Sequence, residues 1–119
     1  MKKVLIIQDS ISINAFFKFK LEEIGFYVDT VESALEGLDI LKKENFDMVL
    51  LDIRLPAMNG IDLYKIIKAD KRLSTVPIIF ISAVEEKELI RLMKSIKSKY
   101  WFKLGSNIEE LIDMIKKII

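Results

Sequence analysis

The chain reads as short, wholly apolar runs separated by longer stretches in which apolar residues recur every three or four positions. Val4–Ile7 is a β-branched-rich run and predicts a first buried strand, ending in Gln8-Asp9-Ser10. Ser10 or Ser12 can cap the following helix, whose inner face is expected to carry Ile13, Phe17, Leu21 and Ile24, with Gly25 as its stop. Phe19 falls on the opposite side of that helix from Phe17, and Lys20 near the stripe's edge. Phe26–Val31 predicts strand two. Ser33-Ala34-Leu35-Glu36 reads as a capping box opening a helix with Leu35, Leu38 and Leu41 inward, fraying from Lys42.

Asp47–Asp52 predicts strand three, an apolar run leading into a lone carboxylate. The loop Leu55-Pro56-Ala57-Met58-Asn59-Gly60 follows, with Asn59 as cap of helix three and Leu63 and Ile67 facing in. Pro77–Ile81 predicts strand four, ending at Ser82-Ala83. Glu85–Glu88 opens helix four, with Leu89, Leu92 or Met93, and Ile96 inward. Tyr100–Phe102 is a short strand five ending at Lys103, and Ser106-Asn107-Ile108-Glu109 reads as a second capping box before a last helix burying Ile108, Leu111, Ile112 and Ile115. Five apolar strands alternating with five helices predict an α/β protein: a doubly wound, flavodoxin-like parallel sheet with helices on both faces.

Composition narrows the chemistry. A chain of 119 residues, 51% hydrophobic and 31% charged, suits one soluble domain. A net charge of +1 argues against direct nucleic-acid binding, and no apolar run reaches membrane-spanning length. With no histidine and no cysteine, histidine catalysis, thiol chemistry and the common zinc sites are excluded. A cytoplasmic protein is expected.

Right-handed crossovers place every strand's C-terminus at one edge of the sheet, where ligands bind in open α/β folds. That edge collects Gln8-Asp9, Asp52, Ser82 and Lys103. Asp9 and Asp52 are hard oxygen ligands of the kind Mg2+ accepts, Lys103 offers positive charge to a phosphoryl oxygen, and Ser82 a hydroxyl. No glycine-rich phosphate loop is present, so a nucleotide cradle is not expected. The set suits one phosphoryl group carried on Asp52 as nucleophile. Taken singly, each residue has a plainer reading: Asp9 and Ser82 as caps, Lys103 as a solvated lysine.

Together these residues resemble the receiver domain of bacterial two-component response regulators, over the whole chain. The resemblance rests on Gln8-Asp9, Asp52, the Leu55–Gly60 loop, Ser82-Ala83, and Tyr100 three residues before Lys103. It implies the strand order 2-1-3-4-5. It also implies that Asp52 takes a phosphoryl group from a phosphohistidine on a sensor histidine kinase or phosphotransfer protein. Asp9, Asp52 and the backbone carbonyl of Arg54 would hold Mg2+. Ser82 would move towards the phosphoryl group with Tyr100 filling the space behind it, and the helix 4–strand 5–helix 5 face would change its preference for an output protein or for a second copy of the chain.

The sequence departs from the family pattern in places. Gln8 stands where a first acidic residue is usual, which predicts weak Mg2+ binding, although an amide oxygen could still accept from a metal-bound water. Arg54 could pair with Asp9 or with the phosphoryl group, slowing its loss, or point to solvent. Leu104 replaces a proline, so the peptide after Lys103 is expected to be trans or strained, with Gly105 absorbing the difference. Lys97-Ser98-Lys99 replaces a Gly-Ala pair, and with Arg91 and Lys94 makes that end basic, either a solvated face or a surface for an acidic partner. Phe19 is a candidate kinase contact. The alternatives are a pseudo-receiver, binding proteins without phosphorylation, and a small flavodoxin-like ligand binder, against which the glycine-free segment after strand one argues. The chain is expected to be a stand-alone receiver or a piece of a larger regulator.

Overall fold

In a computed structural model describing residues 1–119, β1 (Lys3–Ile7), β2 (Tyr27–Val31), β3 (Met48–Asp52), β4 (Ile78–Ser82) and β5 (Trp101–Lys103) form one parallel sheet in the order 2-1-3-4-5. The helices are α1 (Ile11–Glu23), α2 (Ala34–Lys43), α3 (Gly60–Ala69), α4 (Glu86–Ser95) and α5 (Ile108–Ile118). The expected fold class and strand order are those observed. Strand bounds differ from expectation by a residue: Phe26, Asp47 and Pro77 lie just outside, and Ser82 inside.

Strand alternation divides the core between two layers. Leu5, Ile7, Val49, Leu51 and Phe80 face α2, α3 and α4, meeting Leu41, Leu63, Ile67, Leu89 and Met93. Val4, Ile6, Met48, Leu50, Ile79, Ile81 and Phe102 face α1 and α5, meeting Phe17, Leu21, Leu111, Ile112 and Ile115. Because β1, β3 and β4 are covered on both sides, their residues from Val4 to Ile7, Met48 to Asp52 and Ile78 to Ser82 are all buried.

Several helix faces differ from the periodic reading. In α2 the buried residues are Ala34, Gly37 and Leu41, while Leu35 is exposed. The cause is close approach: a Cβ on Gly37 would collide with the Ile7 side chain, so Ala34 and Gly37 share the inward face with Leu41 and Leu35 is turned out. In α1 Asn14 is buried with Phe17 and Leu21, whereas Ile13 is half-buried and Ile24, the C-cap, is exposed. At α5 the cap is Asn107, whose side chain accepts from the Glu109 N–H at 3.0 Å, and not the expected Ser106. The Ser33 cap forms as expected, accepting from the Glu36 N–H at 3.1 Å. Asn59 likewise accepts from Asp62 N–H at 2.9 Å.

α4 ends in a Schellman turn, with Ser98 N–H donating to the Met93 carbonyl at 2.9 Å and Lys97 N–H to the Lys94 carbonyl at 3.2 Å. Lys97 occupies the left-handed position, at φ 58°, that favours glycine. No helix is long and apolar enough to cross a membrane.

Candidate functional site: an acidic pocket at the carboxyl edge of the sheet

The ends of β1, β3 and β4 open into a pocket of about 540 Å3. Its lining includes Gln8, Asp9, Asp52, Arg54, Ser82 and Glu88, with Leu104 closing one side. Asp52 is the last residue of the central strand and only 6% exposed. The chain leaves it through Ile53 and the Leu55–Gly60 loop, in which Ala57 takes a left-handed conformation (φ 65°). The loop returns tightly. Gly60 N–H donates to the Ile53 carbonyl at 2.8 Å, and a Cβ on Gly60 would collide with the Asp52 carbonyl oxygen. Only glycine lets α3 start this close behind the acidic strand end.

Burial pushes the Asp52 carboxyl up from 3.8 to about 6. The N–H groups of Arg54 and Ile53 and the Gln8 amide favour the ionised form, and the neighbouring Asp9 opposes it. The Arg54 N–H donates to Asp52 Oδ1 at 3.4 Å. Asp9 itself is exposed at the pocket mouth. Ser82, 1% exposed, accepts from the Val84 N–H at 3.1 Å, which leaves its hydroxyl proton free to donate.

Gln8 corrects one expectation. Its Oε1 does not face a ligand: it accepts from the Ser10 N–H at 3.1 Å, so the acceptor expected to serve a metal-bound water is taken by the β1–α1 turn. Gln8 Nε2 is buried on the side of the Asp52 carboxylate, whose charge it favours, but makes no hydrogen bond of full geometry. Asn14, which periodicity through Ile13 passed over, donates from Nδ2 to the Gln8 carbonyl at 2.7 Å and pins that turn from beneath. Its position three and seven residues before Phe17 and Leu21 is the signal that places it on the inner face.

The Arg54 side chain does not pair with Asp9. Its guanidinium lies 72% exposed, 3.7 Å from Glu88 of α4, and Glu88 also meets Arg91 at 3.8 Å. Lys103 is the expected site residue that the structure does not bring in. It lines a separate cleft with Glu86, Trp101, Ser106, Glu110 and Met114, while Leu104 lines the acidic pocket. The reason is strand parity: Trp101 and Lys103 share one side of β5, Phe102 takes the other, and the ladder continues through a Leu104 N–H bond to the Ser82 carbonyl at 2.8 Å. The Lys103–Leu104 peptide is trans, and the turn falls on Gly105 at φ 95°. Tyr100 is 40% exposed and lies with Tyr64, Lys68 and Lys97–Lys99, away from Ser82.

A buried carboxylate beside a second carboxylate and a free hydroxyl, at the carboxyl edge of a 2-1-3-4-5 sheet, forms a polar site where doubly wound α/β proteins bind their ligands. Residues 4–116 match the response regulator receiver domain, and the chain belongs to that family. It is a signalling family, whose members act as phosphoacceptors in two-component systems. The chain is 37% identical over 89 residues to chemotaxis protein CheY-3 of Vibrio cholerae, covering 74% of this chain and 68% of that one. It is 30% identical over 116 residues to the transcriptional regulatory protein CrdR of Helicobacter pylori, covering 98% of this chain and 54% of that protein, so it spans about half of CrdR. Among solved structures, the response regulator protein TrrA of Thermotoga maritima, in complex with Mg2+ and BeF, superposes with a TM-score of 0.88 at 28% identity, covering 100% of both chains.

Proposed function

We propose that residues 1–119 act as one receiver unit whose Asp52 takes a phosphoryl group from a phosphohistidine on a sensor histidine kinase or phosphotransfer protein. The observation that carries this reading is the buried Asp52 carboxylate on the pocket floor, with Asp9 and the free Ser82 hydroxyl around it. In the transfer the P–N bond to the donor imidazole breaks, the imidazole nitrogen keeps the electron pair, and an Asp52 carboxylate oxygen forms the new P–O bond. With a pKa of about 6, Asp52 is mostly ionised near neutral pH and able to attack. Ser82 then donates its hydroxyl proton to a phosphoryl oxygen.

The oxygen donors fit Mg2+: Asp9, Asp52 and the Arg54 carbonyl would hold it, two carboxylates and a carbonyl being a usual protein share. Bound there, Mg2+ would supply positive charge against the phosphoryl group. Its affinity is low, because Gln8 brings no charge to the set. Lys103, on its flexible stem, turns into the pocket only when the phosphoryl oxygens attract it. Tyr100 moves inward as Ser82 moves towards the phosphoryl group. Arg54 exchanges Glu88 for the phosphoryl group.

The donor protein docks along α1. An apolar groove of about 420 Å3, lined mainly by Ile13, Phe16, Phe17, Phe102, Leu104 and Ile108, runs beside the acidic pocket and shares Ile13 and Leu104 with it. Phe16 and Phe19 stand exposed on the same helix. Such a groove seats a helix of the donor while its histidine reaches Asp52. The α4–β5–α5 face serves a downstream output protein or a second copy, and the unit works in the cytoplasm.

Gln8 and the outward Lys103 favour one second reading, a pseudo-receiver binding its partner without phosphorylation. Against it stands the buried, destabilised carboxylate, which a passive binding module does not need. Magnesium-dependent uptake of beryllofluoride, followed by amide NMR with Asp52→Ala as control, separates the two. Saturable shifts at Ser82 and Tyr100 that vanish in the control are expected; a silent wild type at high Mg2+ and mimic would point to the pseudo-receiver.

A further inference from the structure

Gln8 stands one step past the Ile7–Leu51 pair of β1 and β3, next to Asp52, and is 2% exposed. Its amide cannot turn over. The Ser10 N–H already donates to Oε1, and exchanging the amide's ends would set two donors against each other. The turn that holds it is itself fixed from below by Asn14. Nε2 is therefore a donor of fixed direction, buried on the Asp52 side of the pocket, where it favours the ionised carboxylate without reaching it in full hydrogen-bond geometry. A buried donor without a full hydrogen bond is costly, so a closer anionic oxygen on Asp52 would complete it.

Two kinds of ligand reach this pocket, and the donor discriminates between them. A water bound to a divalent cation turns its hydrogens outward and, with its oxygen polarised towards the metal, is a poor acceptor for Nε2. A phosphoryl oxygen on Asp52 has lone pairs and negative charge. We infer that Gln8 Nε2 is a preorganised hydrogen-bond donor to the oxyanion carried on Asp52, so that this receiver stabilises its phosphorylated state through a neutral amide where an acidic residue would serve the metal. Gln8 is thus a specificity-determining residue, favouring the anion over the hydrated cation. The inference rests on Asp52 being the phosphoacceptor.

The test compares wild type, Gln8→Met and Gln8→Glu by amide NMR, in separate titrations with Mg2+ alone and with beryllofluoride at saturating Mg2+. Methionine keeps length and neutrality but has no donor. Gln8→Met is expected to bind Mg2+ within about twofold of wild type and the mimic about tenfold more weakly, the size of one lost hydrogen bond to a charged acceptor. Gln8→Glu is expected to bind Mg2+ several-fold more tightly. In the wild type itself, the Gln8 side-chain amide protons, assigned as the pair missing from Gln8→Glu, are expected to shift downfield on uptake of the mimic. Uptake by Gln8→Met equal to wild type, or unmoved Gln8 amide protons in a saturated wild type, would overturn the inference while leaving Asp52 as acceptor. Failure of the wild type to take up the mimic through Asp52 would overturn both readings together.

Discussion

Gly60 presents its bare Cα to the backbone carbonyl of Asp52, and no atom the size of a methyl group fits between them. The start of α3 and the end of the acidic strand are therefore held together by the absence of a side chain. Gly60→Ala is expected to destabilise the protein by about 1–3 kcal/mol or more, since the contact is with backbone that has little room to move. Urea unfolding measures this. In whatever fraction remains folded, beryllofluoride uptake is expected to fall, because the strand end carrying Asp52 is displaced.

Asp52 makes stability depend on pH. Its carboxyl sits at about 6 in the fold against 3.8 ordinarily, so the folded state binds the proton more tightly than the unfolded chain. The cost is absent below about pH 4, grows between pH 4 and 6, and is complete above 6. At about 1.4 kcal/mol per tenfold change in protonation, its ceiling is about 3 kcal/mol. In metal-free buffer, Asp52→Asn is expected to be more stable than wild type at pH 7.5 by up to that amount, with the difference closing towards pH 4. Equal stabilities at pH 7.5 would show that the carboxylate is not destabilised by burial.

Arg54 and Glu88 bridge the pocket mouth at 3.7 Å with the guanidinium well exposed. An exposed pair of this kind contributes less than about 1 kcal/mol, so Glu88→Gln is expected to leave the unfolding midpoint nearly unchanged. Its effect falls on the phosphoryl group. With Glu88 neutral, Arg54 is free to pair with phosphoryl oxygens, and the phosphorylated protein is expected to persist longer. Arg54→Asn is expected to shorten the half-life several-fold. Identical half-lives for wild type and Arg54→Asn would remove Arg54 from the account.

Lys97 holds a left-handed conformation at the end of α4 that costs an L-residue about 1–2 kcal/mol. Glycine relieves this but gains unfolded-state freedom, so Lys97→Gly is expected to stabilise the protein by about 0.5–1 kcal/mol net. Thermal unfolding checks it. Phosphoryl uptake is expected to be unaffected, since the turn lies beyond the opposite end of β5 from the acidic pocket.

What the sequence disclosed depended on whether a signal was local. The apolar runs ending in Gln8, Asp52 and Ser82 announce buried parallel strands, and strand direction alone brings those three to one edge. The Ser33 and Asn59 caps follow from side-chain chemistry within a single turn. What stayed hidden depended on contacts between elements. Gly37 is inward because Ile7 lies against it, and nothing in the helix's own pattern ranks a glycine above Leu35. Gln8 was readable as a lost charge, but the capture of its Oε1 by Ser10 is a property of the folded turn. Lys103 does stand at the carboxyl end of β5, as the chain order indicates. Its direction was set by the parity of β5 and by the ladder running on through Leu104.

The central claim is that Asp52 carries the phosphoryl group. The most direct measurement incubates the protein with Mg2+ and a small phosphoramidate donor, then reads intact mass and maps the modified peptide by mass spectrometry. One added phosphoryl group is expected, on the peptide containing Asp52, lost in base as an acyl phosphate is and missing from Asp52→Asn. A folded wild type that stays unmodified, or an equal modification of Asp52→Asn, would contradict it.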